Sequence, residues 1–331
     1  VNATRADALD AGRAPLPRPR PAPAGVWNPD RLYRMALSAL AVSVFVIVAL
    51  MVVEMFRGAA PALRTLGARF LVSTDWDPVA GKFGMVPYVY GTLMSSALAL
   101  LLALPPSLCA AIYLAELVRP RLGSALAFVI ELLASIPSIV YGIWGVFVLA
   151  PWLRNAIEPW LIAHLGFLPL FQGFPFGLGM LNAAIVLAIM ISPTIVSISR
   201  EILLATPGSL REAALALGAT RAEAIAVTVG AARPGIVGAV ILALGRALGE
   251  TMAVTMVIGN TNHLSASLLA PGATMASVIA NEFTEAADPL HLSALFEIAL
   301  LLFVVTLIVN GFARLLVLWT MGGRRDVARA A

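Results

Sequence analysis

SLREAALALGATRAEA (residues 209–224), followed by the apolar run that holds GRALGET (residues 245–251), decides how this chain is read. Ser209 and Glu212 stand three apart ahead of a helical pattern, the spacing of a capping box. Leu210, Ala213, Ala214 and Leu217 then recur at i, i+3, i+4 and i+7 and form one apolar stripe. Gly218 is placed to end that helix, because glycine accepts the left-handed backbone beyond a helix end. Thr220 and Glu223 make a second capping box, and Pro234 is placed to close a second short helix. A helix this short is marginal in water. Its stripe needs a cover, either this chain's own membrane part or a groove on a partner.

The surroundings of this polar stretch are those of a membrane protein. Of the 331 residues, 60% are hydrophobic and 12% charged, against about 25% charged in a soluble domain. A bilayer core needs about 20 apolar residues per helix. Six blocks meet that length, roughly 35–56, 90–115, 124–150, 181–199, 235–258 and 291–319. Within hydrocarbon each backbone group must be satisfied inside its own segment, so these blocks are read as helices. The short alternating segments of an outer-membrane barrel are missing from the pattern. The expected class is an all-α integral membrane protein with six transmembrane helices. Its expected parts are a tail at 1–30, a membrane domain at 31–325 with a cytoplasmic loop at 200–234, and a tail at 326–331.

Cation placement sets the expected orientation. With the N-terminus inside, the inside segments carry 16 of the 22 lysines and arginines and the outside segments 5, with Arg246 between them. That excess predicts both termini in the cytoplasm. It also accounts for the Pro/Arg-rich residues 1–30, expected to be disordered, without a nucleic-acid partner. The apolar run after that tail exceeds a secretory h-region, which argues against a cleaved signal. Cys109 falls inside a span and is read as a buried thiol. Outer segments 57–89, 151–180 and 259–290 are candidate contacts for an external protein, with Trp76, Tyr88 and Tyr90 suited to the interface.

Arg246 lies 12 residues beyond Pro234, about 18 Å along a helix and close to the middle of a bilayer core of about 30 Å. Glu250 follows at i+4 on the same face, and Gly245 and Gly249 leave room for a neighbour. A charge at that depth costs at least about 2.5–3.5 kcal/mol on insertion scales. Two readings are open. One is a structural ion pair. The other is a site or gate in which the guanidinium meets an oxyanion through bidentate hydrogen bonds, with Glu250 holding Arg246 while the path is empty.

Other polar residues carry less. Glu131 lies in the third block, and Ser135, Ser138 and Tyr141 flank Pro137, one of several span prolines with Pro105, Pro106 and Pro193. Such hydroxyls more often bond to backbone. Thr251 adjoins Glu250. His164, His263 and His291 show no metal-ligand spacing, and no nucleophile–base set is present, so no metal, cofactor or enzyme site is expected. A P-loop needs Gly-Lys-Ser/Thr, yet the only lysine, Lys82, precedes Phe83. Energy must come from another subunit or an ion gradient.

Glu212-Ala213-Ala214 followed by Gly218 resembles the EAA loop of ABC-importer permeases, the helix that docks on the ATPase. Beyond the glycine the resemblance weakens, since Thr228, Gly230 and Ala231 stand where the family has Ile and Leu-Pro. GRALGETMAVTMVIGN (residues 245–260), with STDWDP (73–78) and IPSIVYGIWG (136–145), resembles the phosphate branch of that family over about residues 31–325. Met252-Ala253 favours its PstC type over its PstA type. The resemblance implies a type I ABC importer permease fold, a second PstA-like permease subunit, two PstB-like ATPase subunits, an extracytoplasmic phosphate-binding protein and a place in the cytoplasmic membrane. It implies phosphate passage at Arg246 and Glu250 and ATPase docking at the helix that carries Glu212, Ala213, Ala214, Leu217 and Gly218; Thr251, Ser135 and Ser138 are further candidate path residues by their polarity and position alone. The rivals are a permease for sulfate or molybdate, which should lack GRALGET, an ion-coupled anion transporter, which usually shows internal repeats, and a purely structural membrane subunit.

Overall fold

Among the described residues, six helices are long and apolar enough to cross a membrane: Arg31–Thr65, Val86–Leu117, Ser138–Leu165, Met180–Ala205, Arg221–Leu248 and Pro289–Leu315. The computed structural model describes residues 29–325, with side-chain surroundings for 31–315. The tails expected at 1–30 and 326–331 lie outside the described residues, apart from Pro29 and Asp30, which open the first helix.

The chain divides into residues 1–52 and 53–331. In the first unit, helix α1 (Pro29–Thr65) begins, and every side chain from 31 to 51 is exposed. Phe45, Val46 and Leu50 are among them. A helix that is apolar all round and uncovered suits a hydrocarbon solvent.

The second unit is built on α2 (Val86–Ile112) and α6 (Met180–Ala205), which pack along their lengths. Small residues on α2, Ala99 and Ala103, let larger ones on α6, Leu187, Met190 and Ile191, close the core. Pro105, Pro106 and Pro193 sit inside these helices without ending them. The end of α1 is held by Ser293, whose hydroxyl accepts from Ala62 N–H at 2.8 Å and donates to Gly58 O at 2.8 Å.

Two expected spans are interrupted. The block at 124–150 is split: α3 (Pro120–Ala134) stops at Ser135, and α4 (Ser138–Trp144) starts after Pro137. A residue before proline is pushed out of the helical region, so Ile136 cannot continue α3. The path then stays helical through π-turns at Gly145–Leu149 and Leu153–Ile157 into α5 (Glu158–Leu165), within what was expected as an outer loop. The block at 235–258 is also redrawn. The docking helix α7 (Gly208–Ala216) is followed by α8 (Arg221–Leu248), which runs through Pro234 instead of ending there. It breaks at Gly249–Thr251 and resumes as α9 (Met252–Val257).

The segments at 57–89 and 259–290, expected to be outside, pack on one another. Trp76 and Tyr88 are buried rather than interfacial, with ring centroids 5.0 Å apart and edge-on. Trp76 Nε1 donates to Glu282 Oε2 at 2.9 Å, and His291 Nε2 lies 2.8 Å from the same oxygen. Residues 272–278 are buried, and α10 (Met275–Glu282) leads toward α11 (Pro289–Arg325). Cys109, read as buried, is exposed on the chain's outward face.

The close contact between α4 and the helices beside it gives a direct test. A Cβ on Gly145 would lie 2.6 Å from Val257 Cγ1 and 2.9 Å from Val186 Cγ2. Gly145→Val is expected to cost about 1–3 kcal/mol of stability through overpacking, read as earlier thermal unfolding of the detergent-solubilised protein. Melting at the parental temperature would contradict this packing.

Candidate functional site

The two interruptions are neighbours: α4, which follows the first, packs on α9, which follows the second. A Cβ on Gly142 would lie 3.1 Å from Ala253 Cα, so backbone approaches backbone here. Each break is closed by side chains from its own strand of chain. At the first, Ser135 Oγ donates to Leu132 O at 2.7 Å and the Tyr141 hydroxyl donates to Leu133 O at 2.8 Å. At the second, Thr251 Oγ1 donates to Gly249 O at 3.3 Å, and Glu250 Oε1 accepts from Ala253 N–H at 3.3 Å.

This geometry revises the expected Arg246–Glu250 pair. Arg246 occupies the last turn of α8, where its charge complements the helix's carbonyl end. Glu250 lies beyond the helix end, half-buried, and its carboxylate turns to α9. Among the described residues, none of the ion pairs includes Arg246. Its side chain is exposed, within electrostatic reach of Tyr141. The i, i+4 spacing presumed a continuous helix, which Gly249 interrupts. Gly245 and Gly249 are not needed for close packing inside this chain, since added Cβ atoms would meet their nearest neighbours at 3.6 Å.

Of the expected path residues, Arg246, Tyr141, Ser135, Ser138, Glu250 and Thr251 therefore flank the paired breaks, but with unequal freedom. The hydroxyls of Ser135 and Thr251 are engaged with backbone carbonyls. Ser138 is half-buried at the start of α4. Glu131 is exposed and takes part in none of the ion pairs among the described residues.

The docking helix forms as expected in its stripe and its end, but not in its start. Pro207 is the N-cap of α7 and makes no side-chain bond, so Ser209 and Glu212 already lie inside the helix and form no capping box. Gly218 has φ +87°. Its N–H donates to Leu215 O at 3.0 Å and Ala219 N–H donates to Ala214 O at 3.1 Å, the paired bonds of a Schellman ending. The Thr220–Glu223 box is complete, with Thr220 N–H donating to Glu223 Oε2 at 2.8 Å. Leu217 is 90% exposed, and Leu210, Glu212 and Ala213 are exposed too. The stripe is not packed on this chain.

Sequence reasoning passed over three shielded acids: Glu116, Glu297 and Glu158, the last buried and accepting from Gly177 N–H at 2.9 Å. Glu116, in the π-turn Tyr113–Leu117 that follows α2, pairs with Arg211 Nη1 of α7 at 2.6 Å. Glu297 in α11 is buried with neither carboxylate oxygen hydrogen-bonded. An acid inside an apolar block was the available signal for Glu297. Glu116 gave little, because its partner is 95 residues away.

Comparison with known proteins places these features in a class. Residues 107–320 match the family model described as the binding-protein-dependent transport system inner membrane component. The chain belongs to that family of multi-pass membrane permeases. A relative from Mesorhizobium japonicum, named phosphate transport system permease protein PstC, is 44% identical over 290 residues, covering 86% of this chain and 89% of its own. One of the same name from Haemophilus influenzae is 43% identical over 293 residues, covering 87% and 93%. A probable PstC from Methanocaldococcus jannaschii is 38% identical over 273 residues, covering 81% and 87%. Within the family, the chain falls with the PstC-type permeases.

If Glu250 closes a helix break and does not neutralise Arg246, the two charges act independently on stability. In a double-mutant cycle, Arg246→Gln and Glu250→Gln are expected to add within about 0.5 kcal/mol. A coupling above about 1 kcal/mol would show a direct pair.

Proposed function

We propose that this chain is the membrane-spanning permease subunit of an ATP-driven importer that carries inorganic phosphate across the cytoplasmic (inner) membrane of a bacterium, with both termini in the cytoplasm. One observation carries the reading: an exposed guanidinium, Arg246, stands beside paired helix breaks, and among the described residues no carboxylate pairs with it. Placed at mid-depth, that charge needs an anion. A tetrahedral oxyanion offers the two oxygens that a guanidinium's planar fork binds. The relatives' shared name, phosphate transport system permease, supports phosphate as that anion.

A PstA-like subunit completes the path, membrane lipid covers the outer helices, and an extracytoplasmic phosphate-binding protein delivers the substrate. Two PstB-like ATPases supply the energy, one of them receiving the exposed stripe of α7 with Glu212, Ala213, Leu217 and the Gly218 turn. The chain itself hydrolyses nothing. ATP binding draws the ATPases together and shifts α7, the spans re-orient, and phosphate released outside meets Arg246. Hydrolysis then restores the inward-facing arrangement. Glu250, Thr251, Ser135 and Ser138 line or hold open the breaks through which the ion passes.

Uptake of labelled phosphate by vesicles containing the co-expressed partners tests this. Arg246→Gln is expected to lower uptake by about 10–100-fold, the worth of a charge-assisted hydrogen bond, while the ATPase still co-purifies. Glu212→Lys is expected to lose the ATPase. Unchanged uptake by an assembled Arg246→Gln complex would end the proposal. Uptake that persists without ATP would favour an ion-coupled transporter, and sulfate competing as well as phosphate would favour another oxyanion.

A further inference from the structure

The docking helix is joined by the chain itself to two neighbours. At its start it follows α6 through Thr206 and Pro207, and at its end the Gly218 turn passes into α8. Its tie to α2 has a different nature. Arg211 Nη1 reaches Glu116 Oε2 at 2.6 Å, across 95 residues of sequence. The Glu116 side chain is only 5% exposed and that of Arg211 46%. A pair shielded on one side is less screened than a surface pair and holds its geometry more firmly.

Glu116 also sits at a distinctive point of α2. The helix ends in a π-turn, Tyr113–Leu117, closed by Val118 N–H donating to Tyr113 O at 3.1 Å. Widened turns of this kind recur where helices do mechanical or chemical work. Beside the pair lies an open cleft lined by Leu117, Leu215, Arg221, Ala224 and Ile225. The cleft leaves α7 room to shift against α8, and Arg221 is among the residues that line it. Above the π-turn, α2 packs along α6 through Ala99 and Ala103.

We propose that the Glu116–Arg211 ion pair is the link that passes movement of the docking helix to the inner end of α2, and so to the core of the membrane domain. This rests on the importer reading given above. Glu116 and Arg211 are positioning residues: they act on the path through α2 and touch neither substrate nor nucleotide. With the link cut, the ATPase still docks and hydrolyses ATP, but its strokes no longer re-orient the spans.

The test measures phosphate taken up per ATP hydrolysed by the full importer in proteoliposomes, with ATPase co-purification recorded alongside. Glu116→Gln and Arg211→Gln are expected to retain the ATPase and its hydrolysis while the uptake-to-hydrolysis ratio falls at least about fivefold, the lower range of measured site-to-site coupling. The charge-reversed double variant, Glu116→Arg with Arg211→Glu, is expected to recover a large part of that ratio. A parental ratio in both single variants would overturn the proposal, as would a double variant no better coupled than the singles. Should either single variant fail to assemble, the neutral double variant Glu116→Gln with Arg211→Gln, which leaves no shielded charge unpaired, decides in its place: a parental ratio there would overturn the proposal. Failure of the importer reading itself would look different: the parent would show no ATP-dependent uptake.

Discussion

A helix can break inside a bilayer only where its freed backbone groups find other partners and the break faces protein or a polar path. This chain breaks twice, at residues 135–137 and 249–251, and sets the segments that follow the breaks against each other. Everything near the candidate path follows from that arrangement. Ser135 and Tyr141 satisfy carbonyls at the end of α3, and Glu250 and Thr251 do the same work between α8 and α9. Because the Glu250 carboxylate turns to the backbone of α9, Arg246 enters none of the ion pairs among the described residues. Ser135, Tyr141, Glu250 and Thr251 thus hold the backbone at the breaks, while Arg246 stays exposed.

The same division of labour recurs at the inner surface. The docking helix keeps its apolar stripe uncovered, which a helix of nine residues does not sustain in water on its own. It is held instead by a Schellman turn and a capping box at its far end, and by one shielded ion pair to α2. The Gly218 turn joins α7 to α8 and the ion pair joins it to α2, so the helix has two attachments. One leads into the helix that carries Arg246, and the other reaches the helix that packs most closely on the core.

The helical class, the number of spans, the stripe of α7 and the Gly218 turn were all legible in the sequence, because each rests on local pattern. The breaks were not. Apolar residues continue through Ile136-Pro137 and through Gly249, so hydropathy averaged over a span does not register a local change of backbone. The supposed Arg246–Glu250 pair failed for that reason: i, i+4 spacing means adjacency only on an unbroken helix. The Ser209–Glu212 box failed by two residues, since the N-cap of α7 is Pro207 and not Ser209. Glu116 with Arg211 and Trp76 with Glu282 join residues 95 and 206 apart, and nothing in single-sequence periodicity carries contacts of that range.

The central claim is that the broken-helix region beside Arg246 lies on the route of the anion. Thr251→Cys, in an importer whose exposed Cys109 has been replaced by alanine, gives a thiol at the second break. Its rate of modification by a small charged thiol reagent, measured with ATP cycling and with or without phosphate, tests the claim most directly. The account predicts that the thiol is reached and that phosphate slows its modification while sulfate does not. A thiol that no reagent reaches in any state, or one modified equally fast with saturating phosphate, would contradict it.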